Sequence, residues 1–144
     1  MTLDARIRAL QHGRLFASVP EADLAVLAES MNEETFAKGD VVCEQGEFAD
    51  RIFVVVDGSF DVKVVGSSDN AASLGPGDLF GEYGLFDQGV RTATISAGKP
   101  GSLLTLDYPR FRSFLILFPE AMFAVLSATV SQLLAYQRRM GDEN

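Results

Sequence analysis

The chain has 144 residues, of which 47% are hydrophobic and 22% charged, and its formal net charge is −8 at pH 7. This length and composition predict one globular domain with its own core and exclude a disordered chain. The acidic balance excludes the extended basic face on which nucleic-acid-binding proteins depend, so we expect no direct binding to DNA.

The first 32 residues are predicted to be helical. Leu3, Ile7 and Leu10 recur at helical spacing, and Ser18 with Glu21 has the form of a capping box that begins a second helix. The predicted buried stripe of that second helix consists of Leu24, Leu27, Ala28 and Met31. Both helices are interpreted as packing elements without chemistry of their own.

Residues 33–107 are predicted to be rich in β-strands. Short β-branched and aromatic runs alternate with glycine-centred turns, a pattern typical of a small barrel or jelly roll. The predicted runs cover residues 41–43, 51–56, 60–65, 91–95 and 103–106. Asp57-Gly58 separates two of these runs and is the strongest hairpin signal in the chain.

Residues 108–140 are predicted to form two helices. Tyr108-Pro109 begins the first, and Pro119 begins a longer one that ends near Met140. One stripe along the longer helix has 3-4 spacing and comprises Phe123, Leu126, Val130, Leu133, Gln137 and Met140. Beside it lie Met122, Val125, Thr129 and Tyr136. The pattern fits a helix packed on the barrel, and it equally fits a helix that self-associates or covers a ligand.

The single histidine, the single cysteine and the short apolar runs argue against several classes of protein. His12 is the only histidine, which argues against a metal site of the cupin type and against a hydrolytic triad, so we expect no catalysis and no cofactor. Cys43 is the only cysteine and excludes an internal disulfide. The N-terminus carries early charges, and the longest strongly apolar run covers only residues 114–118, so we expect a cytoplasmic protein with no membrane insertion.

The segment 79–94 contains the residues with the clearest chemical signal. Gly81 and Gly84 allow close backbone approach, and a short helix beginning near Glu82 would direct free amides at an anion. Arg91 stands among small and apolar residues, where its planar fork suits a phosphate. Glu82, which can only accept hydrogen bonds when ionised, suits the hydroxyls of a ribose. The alternative is that Glu82 and Arg91 simply pair with each other.

The same segment resembles the phosphate-binding cassette of the cyclic nucleotide-binding domain family. The matching motifs are Phe80-Gly81-Glu82, Gly84-Leu85 and Arg91-Thr92-Ala93-Thr94, in the family's order and at similar spacing. Turns upstream also match, namely Lys38-Gly39-Asp40, Gly46, Asp50, Gly58 and Leu74-Gly75-Pro76-Gly77-Asp78. With the flanking helices, the resemblance covers nearly the whole chain.

This resemblance implies a mostly β fold, an eight-stranded jelly-roll barrel with N-terminal helices and two C-terminal helices. It implies that Arg91 holds the cyclic phosphate and that Glu82 accepts from the ribose 2′-hydroxyl. Backbone amides near Gly81, Gly84 and Ala93 would complete the cradle, and the Thr92 hydroxyl would bond the phosphate or the purine edge. The full implied binding set is Phe80, Gly81, Glu82, Tyr83, Gly84, Leu85, Arg91, Thr92, Ala93 and Tyr136.

Two residues of the segment depart from the family pattern. A third residue, which lies outside the cassette, is expected to contact the ligand. Tyr83 and Val90 replace more usual residue types, which puts base preference and affinity in doubt. In relatives a residue of the closing helix covers the purine, a role that Tyr136 would take here and that Leu133 could take by apolar contact. The alternative for Tyr136 is packing on the barrel or on a second subunit.

The leading hypothesis is therefore a non-catalytic sensor module that binds cAMP or cGMP. Its C-terminal helices would move when the nucleotide binds, and an unknown effector protein would respond to that movement. The alternative keeps the fold but uses it as a ligand-free protein-interaction module. A small barrel enzyme of the cupin type is the third hypothesis. Few residues follow Tyr136, so no DNA-reading domain is expected in this stretch, which fits a stand-alone sensor or the sensory domain of a longer protein. A homodimer through the C-terminal helix is a further expectation.

Overall fold

The computed structural model describes residues 1–13, 15–65, 72–82, 84–85 and 89–142. The side chains of residues 132, 136 and 139–142 lie outside that description.

Two helices open the chain, as predicted. They are α1 (Leu3–His12) and α2 (Glu21–Ser30). Of the predicted apolar residues, Leu3 is exposed at 39%, and the others are buried, namely Ile7, Leu10, Leu24, Leu27, Ala28 and Met31. The predicted capping box is wrong, because α2 is capped by Pro20 and no side chain bonds its first turn. The Pro20 carbonyl instead accepts from the amides of Asp23 and Leu24.

Six strands form one antiparallel sheet. They are β1 (Asn32–Phe36), β2 (Val41–Cys43), β3 (Arg51–Lys63), β4 (Ser73–Leu74), β5 (Leu79–Phe80) and β6 (Thr94–Asp107). The long strand β6 pairs with β1, β2 and β3, and β3 pairs in turn with β4 and β5. The fold is thus mostly β with flanking helices.

The predicted hairpin at Asp57-Gly58 is wrong, because β3 continues through it. The pairing with β6 runs from Arg51 opposite Asp107 to Lys63 opposite Thr94, with shifts of register on either side of Asp57. Gly58 has φ +87°, and a Cβ on it would lie 2.7 Å from the Cα of Gly101. The glycine therefore serves a bulge between two closely approaching strands rather than a turn.

This continuity changes the strand count. Both β3 and β6 join two runs that the sequence pattern separated, so the described ranges contain six strands where eight were predicted. The sheet path is open in these ranges. Two long, kinked strands thus replace four short ones.

Side chains along β3 alternate between two hydrophobic cores. Ile52 and Val54 point to the cluster shared with the helices, which also includes Phe111. Phe53 and Val55 point to a second cluster inside the sheet. This follows from the two-residue period of a strand, and it places the second cluster directly beneath the cavity described below.

The C-terminal helices begin where the sequence predicts. Helix α3 (Tyr108–Leu117) has Pro109 in its first turn, and the Asp107 carboxylate caps it by accepting from the Arg110 amide at 2.9 Å. Helix α4 (Pro119–Asp142) follows. Within the described residues, no single helix is both long and apolar enough to cross a membrane; α3 and Pro119–Ala135 meet that test only as a pair bent by 118°.

Helix α4 packs on the protein through one row and exposes the other. Val125 and Thr129 are buried, and Met122 is half-buried against the core. Four members of the 3-4 stripe are exposed instead, at 72% for Phe123, 41% for Leu126, 51% for Val130 and 49% for Leu133. The helix therefore packs on the core, as one of the predicted alternatives has it, but through the row of Val125 and Thr129 and not through the 3-4 stripe.

Candidate functional site

The segment singled out by sequence forms one side of a cavity of about 170 Å³. The lining from that segment includes Phe80, Gly81, Glu82, Gly84, Arg91, Thr92 and Ala93. Leu85 instead belongs to the core between the sheet and the helices. Tyr83 and the side chain of Tyr136 lie outside the described residues.

Arg91 is almost completely buried in the wall of this cavity, with 7% of its surface exposed. Its Nη2 donates to the Arg51 carbonyl at 3.0 Å and lies 3.6 Å from an Asp50 carboxylate oxygen. Its Nη1 lies 3.4 Å from the Tyr108 hydroxyl, and its guanidinium carbon lies 5.2 Å from the centroid of the Phe53 ring. The positive charge of Arg91 is thus stabilised by the face of an aromatic ring and by the Asp50 carboxylate, which is itself 53% exposed.

The backbone of Arg91 is held by the loop that follows β2. The Arg91 amide donates to the Glu47 carbonyl at 2.7 Å, and the Gly46 amide donates to the Arg91 carbonyl at 2.9 Å. The predicted strand at residues 91–95 begins only at Thr94, so Arg91 precedes β6 rather than opening it. Backbone hydrogen bonds between two loops, and not strand pairing within the sheet, therefore hold the arginine in place.

Gly81 allows the guanidinium to lie against the backbone. Its φ is +85°, and a Cβ would stand 2.8 Å from Arg91 Nη1 and 2.9 Å from the Arg51 carbonyl oxygen. Beneath it, the rings of Phe53 and Phe80 stack with centroids 4.7 Å apart. Any side chain at position 81 would displace the arginine, so the glycine is a steric requirement of the site.

Glu82 is the second buried charged residue of the cavity, with 5% of its surface exposed. Burial raises the pKa of its carboxyl above the ordinary value, while a hydrogen bond from its own backbone amide acts in the opposite direction. The interpretation in which Glu82 and Arg91 pair with each other is wrong for the described residues, because the arginine's ion pair is with Asp50. A buried carboxylate that forms no ion pair with another described residue is available to accept from neutral hydroxyl donors.

Glu82 also lines a second, larger groove of about 830 Å³. The far wall of that groove is the small polar face of α4, including Ser127, Ala128 and Ser131. Leu74 and Leu79 line both spaces. The carboxylate therefore stands between the cavity and the closing helix.

Much of the remaining lining of the cavity is apolar. This apolar wall is formed by Cys43, Val62, Leu74, Leu79 and Ile95. Sequence reasoning did not assign these residues to the site, although the alternation of residues 60–64 already separated inward from outward positions. Thr92 is exposed at the rim and Ala93 is half-buried. The lining of the cavity thus combines two buried charged side chains with an apolar surface.

Sequence reasoning also missed Tyr108. Its hydroxyl donates to the Gly81 carbonyl at 2.5 Å and lies beside Arg91, and burial raises its pKa despite the nearby positive charge. The only sequence signal at this position is a tyrosine directly before a helix-starting proline, which predicts a helix end and not a contact with residue 81. Among the described residues, no group of three or more His, Cys, Asp or Glu side chains is placed to hold a metal ion.

Residues 33–116 match the family described as "Cyclic nucleotide-binding domain". The chain is 37% identical over 106 residues to a cyclic nucleotide-gated potassium channel of Mesorhizobium japonicum, covering 74% of this chain and 29% of the channel. It is 24% identical over 136 residues to a CRP-like cAMP-activated global transcriptional regulator of Mycobacterium tuberculosis, covering 92% of this chain and 61% of the regulator. The chain therefore spans less than two thirds of the length of these curated relatives.

Solved structures show the same fold. The N-terminal domain of a transcriptional regulator from Streptomyces coelicolor A3(2) is 34% identical, with a TM-score of 0.73 over 89% of this chain and 94% of that one. The Thermus thermophilus catabolite activator protein has a TM-score of 0.81 at 22% identity, over 88% of this chain and 61% of that one. The second likeness concerns the fold alone.

Proposed function

Since the chain belongs to the cyclic nucleotide-binding domain family, we propose that it is a non-catalytic sensor module that binds cAMP or cGMP in the cavity of Arg91 and Glu82. In this proposal the bound nucleotide lies with its cyclic phosphate on Arg91 and its ribose 2′-hydroxyl on Glu82. The apolar wall receives the base. No cofactor takes part.

The observation that carries the proposal is the separation of two buried, opposite charges in one cavity. Arg91 is not neutralised by Glu82, so its remaining N–H groups suit an external anion, for which a guanidinium fork has the right geometry. Glu82 would repel a phosphate but accepts from a hydroxyl. A ligand that satisfies both must carry one anionic group and one hydroxyl a few ångströms apart, as a ribose cyclic phosphate does.

Selection of the base is assigned to the rim and the apolar wall. Val62, Leu74 and Ile95 offer a surface for a flat ring and no charged group. Thr92 is exposed at the rim, where its hydroxyl could bond either the phosphate or the purine edge. The proposal therefore does not choose between adenine and guanine.

The relay is assigned to α4. Glu82 lines both the cavity and the groove against this helix, so a ligand at Glu82 changes the surface that α4 contacts. We propose that binding shifts the population of helix positions toward a closed one, with Tyr136 or Leu133 covering the base. An effector protein of unknown identity would read that position, and this stretch of chain would not bind DNA.

The exposed stripe of α4 supports a second subunit as its partner. Phe123, Leu126, Val130 and Leu133 follow the 3-4 spacing of a coiled-coil seam, and all are exposed while the adjacent row packs on the protein. A second copy of this chain offers the same stripe, so the two helices could pair about a two-fold axis. We propose a homodimer through α4.

The alternative function is a protein-interaction module without a ligand, which the same fold would support. Isothermal calorimetry with cAMP and cGMP separates the two, with 5′-AMP and 5′-GMP as controls that carry a phosphate in the wrong place. The proposal expects saturable one-site binding of at least one cyclic nucleotide and markedly weaker binding of both controls. No heat and no shift of melting temperature with either cyclic nucleotide would overturn the proposal in favour of the interaction module.

A further inference from the structure

One side chain of α3 contacts two residues that line the cavity, Arg91 and Gly81. Tyr108, the first residue of that helix, is buried, and its hydroxyl donates to the Gly81 carbonyl at 2.5 Å. The same oxygen lies 3.4 Å from Arg91 Nη1 and can accept a hydrogen bond from it. The Tyr108 amide donates to the carbonyl of Asp50, whose carboxylate pairs with Arg91. Backbone and side chain therefore both converge on the arginine.

The loop is shaped around this hydroxyl. A Cβ on Gly84 would overlap the Tyr108 hydroxyl oxygen and would lie 2.8 Å from the Ala49 Cβ. The hydroxyl thus fills a space that only glycine leaves open. A phenol in that position has one proton to give and lone pairs to accept with, so donating to Gly81 turns its acceptor side toward Arg91.

The arrangement leaves part of the guanidinium free. Within the described residues, two hydrogen bonds use Arg91 N–H groups, one from Nη1 to Tyr108 and one from Nη2 to the Arg51 carbonyl. An arginine has five such donors, so others remain for an anion. Two fixed donors hold the plane of the fork, which is what bidentate recognition of a phosphate requires.

We propose that Tyr108 is a positioning residue of the anion site, which holds the Arg91 guanidinium against the cassette backbone at Gly81 so that its free edge faces the cavity. The inference rests on the proposed function, because the anion is the cyclic phosphate of the nucleotide. It adds to that function a residue of α3, so the arginine that binds the ligand is set in place by the first C-terminal helix.

The test is a double-mutant cycle on nucleotide affinity, measured by calorimetry. Tyr108→Phe removes only the hydroxyl and should weaken cyclic nucleotide binding by about three- to tenfold, the range for one hydrogen bond. Arg91→Lys keeps the charge but not the fork. In that background the loss from Tyr108→Phe should shrink to less than about twofold, because the partner through which Tyr108 acts is gone.

Ser102→Ala is the matched control, since Ser102 is also buried and donates one hydroxyl bond, to Asp57 at 3.0 Å, far along the sheet from the cavity. It should leave affinity unchanged. If Tyr108→Phe fails to fold, Gly84→Ala displaces the hydroxyl instead and should show the same dependence on Arg91. Unchanged affinity in the tyrosine variant, or equal losses in both backgrounds, would overturn the inference while leaving the function standing. Failure of the wild-type protein to bind would overturn the function itself.

Discussion

The guanidinium of Arg91 lies over the ring of Phe53, 5.2 Å from its centroid. The aromatic face stabilises the cation without neutralising it. Among the described residues, Asp50 pairs with it at 3.6 Å, and this carboxylate is half exposed and shared with Arg51. The result is a buried positive charge that is compensated only in part, which is the condition for binding an anion strongly.

Replacing Arg91 should therefore remove most of the affinity for a cyclic nucleotide. Truncating one side of a buried charge pair costs about 2–5 kcal/mol, so Arg91→Ala should weaken binding by at least about thirtyfold. Calorimetry measures the loss, with circular dichroism to show that the fold persists. Arg110→Ala is the control, because that arginine is exposed and its ion pair is with Asp107, away from the cavity. Near-wild-type affinity in a folded Arg91 variant would contradict the anion site.

Glu82 should recognise the ribose rather than the base. Glu82→Ala should cost about 1.5–3 kcal/mol of binding, the range for a hydrogen bond to a charged group. The 2′-deoxy analogue should lose a similar amount on the wild-type protein and little more on the variant. Glu29→Ala, an exposed glutamate of α2, serves as the control. If the loss from Glu82→Ala and the loss from the 2′-deoxy analogue add when the two are combined, Glu82 is not the partner of the 2′-hydroxyl.

The same glutamate should lower the stability of the ligand-free protein at neutral pH. Burial raises its pKa in the folded state above the ordinary value of about 4.3, so the folded state binds more protons than the unfolded state between those two values. Stability from this residue is therefore fully present below about pH 4.3 and falls as the pH rises through the folded pKa.

Glu82→Gln removes that ionisation and gives a direct measurement. The variant should be more stable than the wild-type protein at pH 7, and the difference in free energy of unfolding should shrink as the pH is lowered toward about 4.3. Urea unfolding at several pH values measures it, without any ligand. A difference that stays constant with pH would show that the carboxyl is not penalised by burial.

The sequence predicted local chemistry better than long-range geometry. Gly81, Glu82 and Arg91 were identified because their residue types and spacing carry a chemical signal, and the fold brings them to one cavity. Tyr108 was missed because its contact with Gly81 joins residues 27 positions apart, which no local pattern encodes.

The error at Asp57-Gly58 has a related cause. A positive-φ glycine between two apolar runs suits both a hairpin and a bulge, and the choice depends on the partner strand. Here β6 pairs along the whole of β3 and has its own glycine, Gly101, at the same place. Local sequence fixes the backbone angle but not the pairing that uses it.

The last prediction concerns the exposed stripe of α4. If Phe123, Leu126, Val130 and Leu133 form the seam of a homodimer, Val130→Glu places a charge at its centre opposite the same charge from the second copy, and burying that pair is costly. The variant should be monomeric by sedimentation equilibrium under conditions in which the wild-type protein is dimeric.

Ala135→Glu adds the same charge to an exposed position of the same helix outside the stripe, and it should remain a dimer. A wild-type protein that stays monomeric at every concentration tested would contradict the homodimer. Loss of the dimer in both variants would instead indicate an effect of net charge, because only the stripe position should disrupt packing between two copies of α4.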